Sequence, residues 1–188
     1  MLLKLEDKYE LIKKEIINYK SKNPIDIVCD MMDKDYISIH GPEHHFLDGA
    51  AFLIAYKNSG GDIDINDCLE KLAVRTVKMP GAMCAYWGVC GAVASIGAAL
   101  SIIHGTQPLS IDEYYKHNME YTSSVLQKMS TIGGARCCKR NAFLALSHAV
   151  QFVKEKYNIQ MEFNKIECKF SALNNQCLNN SCPFYNEK

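Results

Sequence analysis

Residues 79–111 read MPGAMCAYWGVCGAVASIGAALSIIHGTQPLSI and contain no Asp, Glu, Lys or Arg. Uncharged residues over that length leave water when the chain folds. Gly81, Gly88 and Gly91 stand among Cys84, Cys90 and the single tryptophan, Trp87, and glycine lets backbone or a ligand approach closely. The stretch predicts a central buried helix whose first turn and leading loop carry thiols toward a site. The run 86–103 touches the lower length of a membrane span, about 18 residues. It is built mostly from Gly, Ala, Ser and Cys, however, so insertion would be only weakly favourable. The amphipathic segments around it need a core, and this is the segment that supplies one.

Working outward, the spacing predicts helices on both sides. Leu5, Tyr9, Ile12 and Ile16 recur at helical intervals, and Asn23-Pro24 opens a second helix running to about Lys34 with Cys29 as core filler. Pro42 starts a third, closed by Ser59-Gly60-Gly61, and Asp64–Lys78 reads as a capped amphipathic helix with Cys68 packed inside. After Gln107-Pro108, Ser110 and Glu113 form a capping box for a helix to about Met129. Gly133-Gly134 turns the chain into a last helix over about 135–157. The sum is an all-α bundle of six or seven helices in one domain, 1–188. Residues 1–157 form the bundle, and a cysteine-rich tail, 158–188, packs on it. A short strand-like alternation at Ile159, Met161 and Phe163 opens that tail.

The totals narrow the function. Lys plus Arg equal Asp plus Glu at 21 each, so no electrostatic case exists for nucleic acid or anionic membrane. The first residues, MLLKLEDKYELIKKEI, have neither the apolar core nor the cleavage site of a signal peptide, which predicts a cytoplasmic protein. Its nine cysteines are then reduced thiols, metal ligands or redox groups rather than disulfides. Such a thiol load suits an oxygen-poor habitat.

Three stretches carry candidate chemistry. His40-Gly41-Pro42-Glu43-His44-His45 holds half of the six histidines. Its letters match the H-x-x-E-H pattern of one class of zinc peptidase, but Gly41 and Pro42 break the continuous helix that pattern needs. The cluster instead offers acid–base groups, Glu43 with His44 or His45, and a ligand, His40. Asp48, one turn beyond His44, stands where it would orient the imidazole. In the second stretch, Cys137 and Cys138 open a helix among Arg136, Lys139 and Arg140. Dipole and cations there favour thiolate, and Arg136 is a candidate anion clamp.

The third stretch is the tail, Cys168-x8-Cys177-x4-Cys182-Pro183. Its Asn-rich loops bury little apolar surface, so a metal is expected to order them. Zinc sites prefer two close pairs of cysteines, whereas cluster ligands sit in looser loops and end in Cys-Pro in bacterial ferredoxins. The expectation is an iron–sulfur cluster, with zinc as the alternative. Its ligands come from Cys168, Cys177 and Cys182 together with Cys84, Cys90, Cys137, Cys138 or His40.

Taken together, His40–Leu47 with Gly49, the Cys84-x5-Cys90 segment, Gly133-Gly134-x-Arg136-Cys137-Cys138-Lys139-Arg140 and the tail resemble a family of unknown function. Its members are small cysteine-rich proteins of anaerobic bacteria and archaea, in some of which a similar domain follows a methyltransferase domain. The resemblance spans about residues 40–185 and implies a site without naming a reaction. This chain has no Gly-rich nucleotide fingerprint of its own. Three functions compete: an iron–sulfur enzyme or enzyme component doing lyase or sulfur chemistry on a small molecule, a metal or cofactor carrier serving a partner protein, and a zinc-stapled structural protein.

Overall fold

The computed structural model describes residues 3–186. Among them the chain forms eight α-helices: α1 (Leu5–Ile16), α2 (Pro24–Met32), α3 (Glu43–Asn58), α4 (Ile65–Thr76), α5 (Met83–Tyr86), α6 (Gly91–Ile103), α7 (Glu113–Ile132) and α8 (Cys138–Tyr157). Two single 3-10 turns follow at Ser171–Leu173 and Asn179–Ser181, and there is no strand among the described residues. The all-α expectation holds, with one helix more than six or seven.

The extra helix comes from a break in the uncharged stretch. Ala82 takes a left-handed conformation, φ 61°, and Gly88 does so at φ 67°, so the chain makes one turn, α5, and restarts at α6 with Cys90 as its N-cap. Tyr86 and Trp87 project into solvent at 78% and 61% exposure, so absence of charge did not bury this loop. Only α6 is in the core. It shares that position with α3, whose residues Glu43 to Tyr56 are all buried. A helix with apolar residues on every side can be enclosed on every side; α1, α2, α4, α6 and α8 all pack against α3.

Close approach of α3 to α6 depends on missing side chains. A Cβ at Gly49 would lie 2.5 Å from Ser95 Oγ and 2.9 Å from a Leu72 methyl, and one at Gly91 would lie 2.1 Å from the His45 ring. The Gly49 amide also donates to Ser95 Oγ at 2.9 Å, tying the two helices at their nearest point.

The helix starts follow local chemistry with two shifts. Asn23 caps α2, as read, by accepting from the Ile25 amide. At α7, however, Asp112 and not Ser110 is the cap, accepting from the amides of Tyr114 and Tyr115, while Ser110 Oγ accepts from Gln107. α8 begins at Cys138 rather than near 135, and Cys137 Sγ accepts from the Arg140 amide as its cap.

Beyond α8 the run 159–163 stays extended without a strand partner; the Glu162 amide reaches the Lys22 carbonyl instead. The tail folds back over the start of α8. Phe170 is buried, Phe184 sets its edge against Phe143, and Leu178 fills the space beside Gly134. A single bridge pairs Cys168 with Tyr185. These apolar contacts hold the tail against α8, and the expectation of a metal-ordered tail finds no support. Among the described residues no three His, Cys, Asp or Glu side chains converge as a group able to hold one metal ion. None of the described helices is long and apolar enough to cross a membrane.

Enlarging Gly49 tests this packing. Gly49→Ala should cost about 1–3 kcal/mol in urea unfolding, and Gly49→Val more, because Ser95 and Leu72 both belong to well-packed helices. Gly81→Ala, with open space around it, should be near neutral.

Candidate functional site

Two cavities meet at the start of α8. The larger, about 310 Å³, lies between the beginnings of α3, α6 and α8, with the loop 81–84 across it. Its walls include His40, His44, His45, Asp48, Cys84, Cys90, Arg136, Cys137, Cys138 and Asn141. The second is a narrow slot on the other side of Cys137, walled by Cys137, Cys168, Cys177 and Cys182 with Phe170, Asn174 and Phe184. The thiols named from the sequence therefore form two groups rather than one. Cys84, Cys90 and Cys138 face the larger cavity, the tail thiols face the slot, and Cys137 borders both.

The histidine cluster is built by the turn that enters α3. The Ser38 carbonyl receives Lys139 Nζ at 3.0 Å and stands 2.9 Å from His44 Nε2. Nε2 also lies 3.2 Å from Lys139 Nζ, but the Ser38 oxygen is closer and can only accept, which assigns the proton to Nε2 and leaves the Nδ1 lone pair without a partner. Burial, and then the nearby Lys139 ammonium, hold His44 neutral by pulling its pKa down to about 3. His45 is also pulled down by burial, while the Met79 backbone lies beside it; its Nδ1 is likewise unpartnered. Desolvation also lowers His40, whose Nε2 lies 3.1 Å from Asn174 Oδ1, so this histidine bridges the cavity to the tail.

Glu43 turns away from this cavity. Its carboxylate accepts from Lys8 Nζ and from the Ser38 amide, both at 2.8 Å, fastening α1 to the α3 entrance. Burial opposes the charge, but those donors outweigh it and hold Glu43 at about 2. It is a structural ion pair and not the acid–base group the sequence suggested. Asp48 is the carboxyl that remains inside. It does not orient His44: both oxygens are buried and lack hydrogen-bond partners, and burial raises its pKa well above the ordinary carboxylate range.

The cations near the paired cysteines also sort differently from the sequence reading. Lys139 is 1% exposed, turned into the core and held over the Phe170 ring. Arg140 is buried too, donating to the Ala135 carbonyl and to Asn141 Oδ1. Arg136 alone of the three lines the larger cavity, exposed at its rim. Cys138 is correspondingly not acidic; desolvation, only partly offset by the Gly41 backbone, pushes it up to about 12. The same burial raises Cys90, which accepts from Asn141 Nδ2 at 3.3 Å.

Around the slot, amide donors point at sulfur. Arg140 N reaches Cys137 at 3.4 Å, Asn179 N reaches Cys177 at 3.4 Å, and Asn174 Nδ2 reaches Cys137 at 3.6 Å. Cys168, raised by burial, receives the Phe170 backbone. Asn174 and Asn141 had no sequence signal, since a tail rich in asparagine does not show which one folds inward. Cys29 and Cys68 face neither cavity, in keeping with their reading as filler.

Acid should weaken the fold in a defined order. As pH falls below 6.5 the unfolded chain protonates at His44 while the folded chain does not, so stability drains between about 6.5 and 3. Glu43 adds to the loss below 4.5. Asp48 acts in the opposite sense: as pH rises above 3.8 the unfolded chain releases that proton first, so its contribution falls. Asp48→Asn should therefore raise Tm at pH 7 and leave the acid limb in place, as thermal scans across pH 4–8 would show.

A family model described as a family of unknown function, DUF5714, matches residues 12–185. Neither a curated protein nor a solved structure matches the chain. The matched span holds both cavities, all nine cysteines and every candidate residue described above, and this chain belongs to that family of unknown function, DUF5714.

Proposed function

We propose that the protein is an iron–sulfur protein, an enzyme or a component of one, with Cys137, Cys168, Cys177 and Cys182 as cluster ligands and the larger cavity as its substrate site. One observation carries the reading: three thiols of the tail and a fourth from the start of α8 wall the same slot, although 31 positions separate Cys137 from Cys168. Amide donors on Cys137, Cys168 and Cys177 fit thiolate ligands, because N–H groups aimed at sulfur stabilise its negative charge and tune a cluster. The buried ammonium of Lys139 also lines the slot and would offset part of that charge.

The slot is tight, about 20 Å³ on the measure that gives 310 Å³ for its neighbour. The loops carrying Cys177 and Cys182 would have to ride outward to admit a cluster. That tightness favours a second reading, one zinc ion on the same four thiols as a staple, which would have to draw together sulfurs that do not converge on one point in this structure.

A cluster would supply electrons or Lewis acidity at Cys137, the position the slot shares with the cavity. On the cavity side this chain contributes two neutral thiols, Cys90 and Cys138, the buried carboxyl of Asp48, and the free Nδ1 atoms of His44 and His45. That set suits acid–base or sulfur chemistry, a lyase or desulfurising reaction, on a small molecule screened from water.

Protein purified without oxygen should be brown and contain iron and acid-labile sulfide in equal amounts. Cys177→Ser and Cys182→Ser should each lose most of the iron, while Cys68→Ser keeps it. Colourless protein with one zinc per chain would select the staple. Protein that takes up neither metal, as isolated or after reconstitution, would end both readings.

A further inference from the structure

The larger cavity has a chemical polarity that its thiols do not explain. Three polar side chains at its inner wall are at least nine-tenths buried and unsatisfied: Asp48 through both carboxyl oxygens, and His44 and His45 through Nδ1. Burying such atoms unpaired is costly. Asp48 and His44 Nδ1 are acceptors, and so is His45 Nδ1 when its other nitrogen serves the Met79 backbone. The donors nearby are engaged elsewhere. Lys139 Nζ donates to Ser38 and lies 3.2 Å from His44 Nε2, and the Asn141 amide donates to Cys90, so neither reaches Asp48 or either Nδ1 atom. A wall that accepts several hydrogen bonds and offers a carboxylate fits a group with several N–H donors and a positive charge.

The rim has the opposite character. Arg136 lines both the cavity and the open groove that continues from it past Gly133. Its guanidinium presents a fork of donors suited to a carboxylate. The cavity thus runs from a cationic rim to an acceptor-rich floor.

We propose that this cavity binds a small α-amino acid, its ammonium on Asp48 and one of the neighbouring histidines, and its carboxylate on Arg136. An ammonium brings a positive charge that would let Asp48 ionise on binding, and a second N–H could go to the Nδ1 of His44 or of His45 on the same wall. The side chain would then lie beside the thiols of Cys90 and Cys138. A space of 310 Å³ admits a small amino acid. The proposal rests on the reading of the cavity as the substrate site and is independent of what the tail slot holds.

The test is a thermal-shift and calorimetric screen of the anaerobically purified full chain. It uses the common amino acids singly at about 10 mM, with the deaminated acid and the decarboxylated amine of each one that binds. At least one small amino acid should bind saturably, and both of its truncated analogues should bind at least about tenfold more weakly. Asp48→Asn, which preserves shape and removes a costly buried carboxyl, should lose about tenfold or more in affinity, and so should Arg136→Gln at the exposed rim. If Asp48→Asn fails to fold, Arg136→Gln and the analogues decide the matter. The proposal is overturned if no amino acid binds, if the deaminated acid binds as well as its parent, or if neither variant weakens binding. It is also overturned if Co²⁺ alone binds the wild type and not Asp48→Asn, which would give the acceptors to a metal. Iron and sulfide measured on the same samples report on the slot separately, so a failure here and a failure there are distinguishable.

Discussion

The arrangement depends on burying α3 on all sides while it carries Glu43, His44, His45 and Asp48 in its first two turns. A fully enclosed helix must satisfy or neutralise each ionisable group it brings along, because desolvating a charge is costly. Each of these four is handled differently. Glu43 keeps its charge by taking Lys8 from α1. His44 gives up its charge and donates one proton to the Ser38 carbonyl. His45 is neutral against the bare face of Gly91, and Asp48 is held toward its protonated form. The enclosure that gives the helix its stability is thus also the source of unusual protonation states in the cavity.

The start of α8 is the second organising point. Cys137, Cys138, Lys139 and Arg140 are consecutive, and the first turn of a helix sends consecutive side chains about 100° apart. Cys138 therefore faces the larger cavity, Lys139 enters the core beneath Phe170, and Cys137 stands between the cavity and the tail slot. Had Lys139 stayed in solvent, the cation-and-thiol pattern would have meant acidic thiols. Because it is buried and committed to Ser38, and Cys138 is half-buried beside Asp48 and Cys90, desolvation dominates over local cations. Burial outweighs sequence proximity wherever water is excluded.

Much of the fold was legible in patterns of short range. Helix spacing, the Asn23-Pro24 start and the glycine turns placed seven segments close to where they lie, because they report interactions within one turn. The Ser110 capping box failed since Asp112 competes for the same amides two residues later. The uncharged stretch 79–111 predicted one buried helix, and the chain made a helix, a left-handed break and an exposed aromatic loop. Lack of charge permits burial without requiring it, and Ala82, Gly88 and the α3 surface decided which half was covered.

By itself the sequence determined the all-α class, the presence of thiol and histidine stretches, and the membership of cysteines 84, 90, 137, 138, 168, 177 and 182 in candidate sites. Those follow from composition and spacing along the chain. Only the tertiary structure decided that the thiols divide into two groups about Cys137, that Glu43 is a fastening and Asp48 the carboxyl inside, and that Asn141 and Asn174 reach sulfur. Which polar group finds a partner depends on residues tens of positions away, and no pattern within a helix turn contains that information.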